Sequence, residues 1–233
     1  MAVDKLDKKA LENDFKGHNS FLFDMDGTII QSEPIHALAL QMILKDVGLN
    51  LKLSKLENDF IGLPDPDVYR RVFKEGHYGP ILSKTVSSED EFIDIKNKVI
   101  SEIIENIPSI EFQKLLIPGL ADFLKEIKAN KLFLGLVSAS EEPIIHLILE
   151  KAKILDLFDI VTPRLKNKPN KPDPFPYVST MDQLGASPEK TIIFEDSESG
   201  LKAANSSGVS KVIQIKWQLK NDYDIPNHKF MDH

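Results

Sequence analysis

The chain has 233 residues, of which 42% are hydrophobic and 28% charged, the balance of an ordinary globular protein. Its formal net charge of −7 argues against a broad nucleic-acid surface. No apolar stretch approaches the ~20 residues that span a bilayer, and the first nine residues lack the apolar run of a secretory signal. Cysteine is absent, which excludes disulfides, thiol nucleophiles and cysteine-bound metals. We therefore expect a cytoplasmic protein with neither a nucleic-acid nor a membrane partner.

The N-terminal part of the chain leads into a short strand that ends in two acids. Residues 3–17 are charged and weakly amphipathic, which predicts a leading helix or a partly ordered extension. The predicted strand runs from Phe21 to Asp24, and Asp26 and Gly27 follow it. Residues i and i+2 of an extended chain share a face, and two carboxylates that close repel unless a cation or a shared proton compensates. The pattern fits a metal-dependent acidic site, and an Asp-Gly turn that merely closes the strand is the alternative.

The segment from Glu33 to about Pro108 has the pattern of a helical insertion. Apolar residues recur every three or four positions over 35–47, 68–73 and 92–104, and this spacing predicts helices. We expect a small α-helical bundle domain at residues 37–112. It would interrupt a core made of residues 1–36 and 113–233.

The remainder of the chain alternates between helices and strands. Near-continuous apolar strands separated by helices predict an α/β fold, a Rossmann-like parallel sheet with helices on both faces. The predicted strands cover 132–137, 158–161, 191–194 and 211–215, and the predicted helices cover 120–129, 143–151, 175–184 and 200–207.

Polar side chains follow three of these strands. Asp24 is the last residue of the strand that begins at Phe21, Ser138 follows the strand at 132–137, and Glu195 with Asp196 follows the strand at 191–194. Ligands of parallel sheets bind at the carboxyl ends of the strands, so we expect these residues to converge there with Asp26. Oxygen ligands of this kind suit a hard cation, and Mg²⁺ is the expected cofactor.

A loop rich in cations, residues 164–171, precedes the predicted helix at 175. Its cations other than Lys171 are typical of a solvated loop. Lys171 differs from them because Pro172 and Pro174 restrict the backbone around it, so it is the candidate partner of a phosphate.

Four segments now combine into a pattern. In chain order they are Phe23-Asp24-Met25-Asp26-Gly27-Thr28, Leu136-Val137-Ser138-Ala139-Ser140, Lys171-Pro172-Asp173-Pro174 and Ile193-Phe194-Glu195-Asp196-Ser197-Glu198-Ser199-Gly200. Their residues and order resemble the four motifs of the haloacid dehalogenase superfamily of phosphotransferases. The helical insertion is similar to that family's helical-bundle cap domain.

This resemblance implies roles for the four acids. Asp24 would be the nucleophile that forms an aspartyl-phosphate, and Asp26 the general acid and base. Mg²⁺ would be held by Asp24, the backbone carbonyl of Asp26, Asp196, and Glu195 either directly or through water. The mechanism also requires a higher pKa for Asp26 than for Asp24.

The resemblance also implies a phosphate-binding set. Ser138, Ala139 and Lys171 would bind the oxygens of the transferring phosphoryl group. A helix N-cap is the alternative role for Ser138, and both roles are compatible if Ser140 is the cap.

The insertion offers candidate substrate contacts. Ser32-Glu33-Pro34-Ile35-His36 resembles the hinge of sugar-phosphate phosphatases and of β-phosphoglucomutase. We take His36, Gly62 and Asp65 as candidates for contacts with the substrate, although His36 alternatively serves only the interface of the cap.

A hydrolase of small phosphate monoesters, such as sugar phosphates, is the favoured function. A β-phosphoglucomutase-type phosphosugar mutase is the alternative, but residues 60–65 carry no arginine for a second phosphate, and Glu141 and Glu142 would repel a bisphosphate. A non-catalytic binding protein on the same fold is a further alternative. It predicts the loss of a motif residue, and none is lost.

Overall fold

The computed structural model describes residues 2–7, 9–60, 65–75 and 86–217, which divide into two compact units. The core unit contains the described residues up to Gln31 and those from Ser109 onward, and the helical unit contains those from Ser32 to Pro108. The units therefore divide after Gln31 and Pro108, whereas the predicted domains divide after residues 36 and 112. The division into a catalytic domain and a cap domain stays a prediction.

The core unit is built on one sheet. Its strands are β1 (Ala2–Val3), β2 (Ser20–Phe23), β3 (Phe133–Val137), β4 (Ile160–Thr162), β5 (Thr191–Glu195) and β6 (Lys211–Ile215). Within the described part of the chain all neighbouring strands are parallel, in the order β1-β6-β5-β2-β3-β4. Every residue of β2 and β5 is buried, which requires cover on both faces of the sheet. The predicted Rossmann-like α/β fold is confirmed.

Along the chain, the helices of the helical unit lie between two groups of core-unit helices. The core unit starts with α1 (Ala10–Asn13); the helical unit contains α2 (Glu33–Asp46), α3 (Leu53–Phe60), α4 (Asp65–Tyr69) and α5 (Glu89–Asn106); the core unit resumes with α6 (Ser109–Phe112), α7 (Leu120–Ala129), α8 (Glu142–Ala152), α9 (Phe175–Leu184) and α10 (Glu198–Ser206). A π-helical segment (Arg70–Glu75) and 3₁₀ turns at Gln113–Leu115, Leu155–Leu157 and Pro188–Lys190 complete them. No described helix combines the length and apolar character needed to cross a membrane.

The N-terminal residues belong to the core unit. The sequence predicts a leading helix or a partly ordered extension for residues 3–17, but β1 pairs with β6 at the edge of the sheet and α1 has only four residues. Phe15 is buried and packs edge-to-face on Phe21, Phe123 and Phe194. Burial of this aromatic ring explains why the segment is ordered.

The helical unit has an apolar core of its own, to which α2 to α5 and the π-helical segment contribute residues. Leu40, Leu44, Leu56, Val72 and Phe92 are among its buried members. The helix α3 is absent from the predicted elements, and the π-helical segment continues α4.

Candidate active site

Three adjacent strands place the predicted site residues at one edge of the sheet. β2 lies between β5 and β3, and Phe23 is in register with Phe194 on one side and Leu136 on the other. Each of these residues is close to the end of its strand. The acids that follow β2 therefore lie beside Glu195 on one side and Ser138 on the other.

A tight loop after β2 brings its two acids and Asp196 together. The Met25 carbonyl accepts the N–H groups of the three residues that follow Gly27, which folds the loop back on itself. Gly27 has φ +83°, and a Cβ built there would lie 2.1 Å from Asp196 Oδ2. Thr28 Oγ1 donates to Asp196 Oδ1 at 2.9 Å. Glycine is needed here both for the backbone conformation and for the approach of Asp196.

Three carboxylates form the acidic cluster of Asp24, Glu195 and Asp196. One oxygen from each lies within 4.8 Å of the others. Lys171 is the cation beside them: its Nζ donates to Asp24 Oδ1 at 2.6 Å and to Glu195 Oε1 at 2.8 Å. The peptide bond that joins Lys171 to Pro172 is cis.

The electrostatics of this cluster favour additional positive charge. Burial raises the pKa of Asp24 well above its ordinary value and the charge of Glu195 raises it further, while Lys171 lowers it. Burial and Glu195 also raise the pKa of Asp196, to about 6. Burial lowers the pKa of Lys171, but Asp24 and Glu195 outweigh it and the net shift is upward. An all-oxygen set of crowded anions fits a hard divalent cation.

Glu195 is hydrogen-bonded through both of its oxygens. Oε1 accepts from Lys171 and, at 3.0 Å, from the hydroxyl of Tyr177. Oε2 accepts from the backbone N–H groups of Asp196 and Ser197 and from the Ser197 hydroxyl. A Cβ on Gly200 would lie 1.6 Å from Oε1, so the first turn of α10 leaves room for this carboxylate only because residue 200 is glycine.

Asp26 has different surroundings from Asp24. It is half-buried, and its Oδ2 accepts from the Ser140 hydroxyl at 2.8 Å and the Ser138 hydroxyl at 3.4 Å. Its side chain is not part of the acidic cluster. The two acids that follow β2 are therefore bound by different partners.

Neither Ser138 nor Ser140 is the N-cap of the helix that follows them, although the sequence offered both as candidates. The helix α8 begins at Glu142 and its N-cap is Glu141, whose side chain makes no capping bond. Ser138 Oγ instead accepts the N–H of Ser140 at 3.0 Å. The cap of α10 is Ser197, which accepts the N–H of Gly200.

Comparison with known proteins identifies the family. Residues 21–214 match the family model for haloacid dehalogenase-like hydrolases. The chain belongs to this family. The predicted resemblance is confirmed, and so is the prediction that the chain is a hydrolase of this type.

Two relatives of this hydrolase cover nearly its whole length. The phosphorylated carbohydrates phosphatase of Thermotoga maritima is 28% identical over 205 residues, which are 86% of this chain and 86% of that protein. The phosphoglycolate phosphatase of Aquifex aeolicus is 26% identical over 208 residues, 88% of this chain and 89% of that one. Among solved structures, β-phosphoglucomutase from Clostridium difficile is similar with a TM-score of 0.68 and 24% identity over 88% of this chain and 93% of the other. That similarity concerns the fold alone.

The predicted site residues of this haloacid dehalogenase-like hydrolase divide between the two units. The core unit brings together the acids, Ser138 and Lys171, with the exposed Ala139 next to Ser138. His36 lies on α2 and Asp65 at the start of α4, both in the helical unit. Gly62 lies outside the described residues.

Sequence reasoning missed two contributors to the site, Tyr177 and Ser140, as partners of its carboxylates. The contact of Tyr177 with Glu195 joins α9 to the end of β5, and no local motif marks it. The signal available was a lone hydroxyl-bearing ring on the apolar face of the helix that follows Lys171. Burial, and then the charge of Glu195, raise the pKa of Tyr177 well above its ordinary value. The hydroxyl therefore stays protonated and donates its hydrogen bond to Glu195.

Proposed function

We propose that this protein is a magnesium-dependent hydrolase of small phosphate monoesters, such as sugar phosphates, and that it acts in the cytoplasm through an aspartyl-phosphate. The main support for this proposal is the environment of Asp24. Its carboxylate is buried, its Oδ1 lies 2.6 Å from Lys171 Nζ, and it belongs to the acidic cluster. A second carboxylate, Asp26, has separate hydroxyl partners. The names of two relatives as phosphatases of phosphorylated carbohydrates and of phosphoglycolate support the substrate class.

The proposed first step transfers the phosphoryl group to Asp24. A carboxylate oxygen of Asp24 forms a bond to phosphorus while the bond from phosphorus to the leaving oxygen breaks. Asp26 donates a proton to that leaving oxygen, and the alcohol departs. Lys171, Ser138 and the backbone at Ala139 bind the phosphoryl oxygens, where negative charge is concentrated.

The second step returns Asp24 to its free form. Asp26, now a carboxylate, takes a proton from a water molecule whose oxygen attacks phosphorus. The bond between phosphorus and the Asp24 oxygen breaks, and inorganic phosphate leaves. The hydroxyls of Ser140 and Ser138 hold Asp26 in one orientation for both proton transfers.

A divalent cation fits the acidic cluster and bears on the state of Asp24. Asp24, Asp196 and the carbonyl of Asp26 would hold it, with Glu195 acting either directly or through water. When bound, it would supply the positive charge that keeps Asp24 ionised and neutralises the phosphoryl oxygens. The raised pKa of Asp24 indicates that Lys171 alone does not compensate this cluster. A bound cation would therefore favour the ionised form of Asp24, which nucleophilic attack requires.

Hydrolysis of p-nitrophenyl phosphate, with and without Mg²⁺, tests this proposal. We expect turnover that requires Mg²⁺ and is abolished by Asp24→Asn. Asp156→Asn is the matched control, because it makes the same change at an exposed aspartate and should leave turnover intact. A panel of sugar phosphates, sugar-alcohol phosphates and phosphoglycolate would then define the substrate. No turnover of any phosphate ester by the magnesium-loaded protein would refute the proposal.

A phosphosugar mutase is the second candidate function. Two acids that follow Ser140 in the chain disfavour it: Glu141 is the N-cap of α8 and Glu142 its first residue. Negative charge there would repel the second phosphate of a bisphosphate. Adding a hexose 1-phosphate with the corresponding hexose bisphosphate separates the two candidates. Isomerised hexose phosphate would establish the mutase, whereas inorganic phosphate alone supports the hydrolase.

The proposal includes a cap domain that contacts the substrate. In the predicted division this cap is residues 37–112, which correspond approximately to the helical unit. His36, Gly62 and Asp65 stay candidates for those contacts. Asp65 forms a salt bridge with the buried Lys96, and a substrate hydroxyl or a second anion would compete for the same two groups. Asp65→Asn should change the ranking of substrates in the panel while p-nitrophenyl phosphate, which lacks a sugar, is turned over at a similar rate.

A further inference from the structure

Tyr177 is a buried residue that the proposed mechanism does not use. It lies in α9, six residues beyond Lys171, and its side chain is fully buried. Its hydroxyl donates to Glu195 Oε1 at 3.0 Å. This is the same oxygen that accepts from Lys171 at 2.8 Å, so one carboxylate oxygen joins the tyrosine to the lysine.

Lys171 depends on this oxygen for its position. Its Nζ has three acceptors: Asp24 Oδ1 at 2.6 Å, Glu195 Oε1 at 2.8 Å and the Val137 carbonyl at 3.0 Å. An ammonium group has three protons, so each acceptor takes one of them. The Tyr177 ring lies 4.9 Å from Nζ, within the range of a favourable cation–π contact. Tyr177 therefore contacts Lys171 directly through its ring and indirectly through Glu195.

The other oxygen of Glu195 is held from the opposite side. Oε2 accepts from three donors at the start of α10, the N–H groups of Asp196 and Ser197 and the Ser197 hydroxyl, at 2.9 to 3.1 Å. Loss of the Tyr177 hydroxyl would remove one of the donors to Oε1 and none of the donors to Oε2. The remaining hydrogen bonds would then favour a rotation of the Glu195 carboxylate toward the start of α10.

We propose that Tyr177 is a positioning residue whose hydroxyl fixes Glu195 Oε1 and whose ring flanks Lys171, so that Lys171 stays on Asp24 and the acidic cluster keeps the spacing that a cation needs. The proposal rests on the proposed function above. Tyr177 does not touch the reacting atoms. It acts through Glu195 and Lys171.

Tyr177→Phe removes the hydroxyl and keeps the ring, so it tests the hydrogen bond alone. Residues that orient metal ligands typically contribute about 10- to 100-fold to metal affinity or activity. We expect kcat to fall by about that factor with a smaller change in KM, and Mg²⁺ binding measured by calorimetry without substrate to weaken. A variant with kcat and Mg²⁺ affinity within about twofold of the wild type would overturn the proposal.

Thr180→Val is the matched control. Thr180 is also fully buried on α9, and its hydroxyl bonds to Thr162 and to the Pro176 carbonyl, away from the acidic cluster. Loss of this hydroxyl tests the general effect of removing a buried hydrogen bond from the same helix. We expect kcat and Mg²⁺ affinity to stay unchanged in Thr180→Val, and equal losses in the two variants would overturn a specific role for Tyr177.

An NMR measurement on the folded protein does not depend on turnover. The Tyr177 hydroxyl proton should exchange slowly with water and give a downfield resonance, because it is buried and bonded to a carboxylate. We expect this resonance to shift in Glu195→Gln and on addition of Mg²⁺. A hydroxyl resonance that is unchanged in Glu195→Gln would overturn the proposal even if Tyr177→Phe does not fold. If instead the wild type binds Mg²⁺ and shows this resonance but hydrolyses no phosphate ester, the proposed function fails and the positioning role stands.

Discussion

Asp24 and Asp26 both follow β2, but different residues surround their two carboxylates. Asp24 is buried against Lys171 and two other carboxylates, where a cation would keep it ionised and nucleophilic. Asp26 is half-buried and accepts hydrogen bonds from two hydroxyl groups, those of Ser138 and Ser140. These different contacts support the proposed roles of Asp24 as nucleophile and Asp26 as general acid and base.

Asp26→Asn should therefore separate the two chemical steps. Without a general acid, we expect hydrolysis of an alkyl phosphate to fall by about 10²- to 10⁴-fold. p-Nitrophenolate leaves without a proton, so Asp26→Asn should still release a burst of it while later turnover is slow. Rapid-mixing absorbance measurements would detect this burst, and Asp24→Asn is the control that should show none. Absence of the burst in Asp26→Asn would contradict the assignment.

Gly27 makes a second prediction at the level of one residue. Gly27→Ala forces a side chain into φ +83° and places a Cβ 2.1 Å from Asp196 Oδ2. The backbone conformation alone costs about 1–2 kcal/mol, and displacement of Asp196 should also weaken Mg²⁺ binding by about tenfold or more. Calorimetric Mg²⁺ titration with urea unfolding would measure both effects.

Gly17→Ala is the control for that experiment. Gly17 has φ +90° and open space around it. Both alanine variants should therefore lose similar stability from the backbone, while Gly17→Ala keeps its affinity for Mg²⁺. An equal loss of affinity in both variants would show that the contact with Asp196 is not responsible.

Residues at strand ends were predictable, and residues that support them were not. Asp24, Ser138 and Asp196 could be brought together from sequence because parallel strands end at a common edge. Ser140 and Tyr177 contact Asp26 and Glu195 through side-chain packing, and strand order alone does not determine which hydroxyl reaches which carboxylate.

At the level of elements, the alternating half of the chain was predicted more completely than the helical half. The helices α7 and α9 have the predicted bounds, because their apolar spacing is regular and a glycine follows α9. The helix α3 was missed although Leu53, Leu56 and Phe60 recur at helical spacing. The helix predicted over 68–73 falls on the end of α4 and the start of the π-helical segment Arg70–Glu75. Apolar spacing indicated a helix there but did not distinguish the wider π-helical turn from an α-helical one.

The start of α5 supplies a prediction about pH. Ser88 is its N-cap and accepts the N–H of Glu91, and the Glu91 carboxylate accepts from the N–H and hydroxyl of Ser87 at 2.6 Å. These hydrogen bonds lower the pKa of Glu91. A carboxylate with a lowered pKa in the folded state stabilises the fold above its ordinary pKa, and this contribution disappears as the pH falls through the lowered value.

Glu91→Gln should consequently lower the melting temperature at pH 7, and the difference from the wild type should vanish in acid. Thermal unfolding followed by circular dichroism between pH 3 and pH 7 would measure it. Glu89→Gln removes a charge from the same first turn and serves as the control for the helix dipole. A difference in melting temperature that stays constant from pH 7 down to pH 3 would contradict the linkage.

For the molecule as a whole, an aromatic cluster in the core unit supports the active-site strands. Phe23 and Phe194 stack with centroids 4.3 Å apart, and each directly precedes a carboxylate of the site. Phe15 packs edge-to-face on Phe194 at 5.7 Å, and Phe123 contacts both Phe23 and Phe194. The N-terminal segment thus completes the packing beneath the carboxylates, which the charged sequence of residues 3–17 did not indicate.

Phe15→Ala should destabilise the core unit by about 3–5 kcal/mol, because a buried aromatic ring and its contacts are lost. Trp217 is the one tryptophan of the chain and lies in the core unit, so its fluorescence during urea unfolding reports on that unit. Phe133→Ala is the matched control, since Phe133 belongs to the same unit but is 40% exposed, and its loss should destabilise less. Equal destabilisation by the two variants would mean that packing of Phe15 does not attach the N-terminal segment to the core. In that case the pairing of β1 with β6 and the bond from the Leu6 N–H to the Pro118 carbonyl would have to hold the segment.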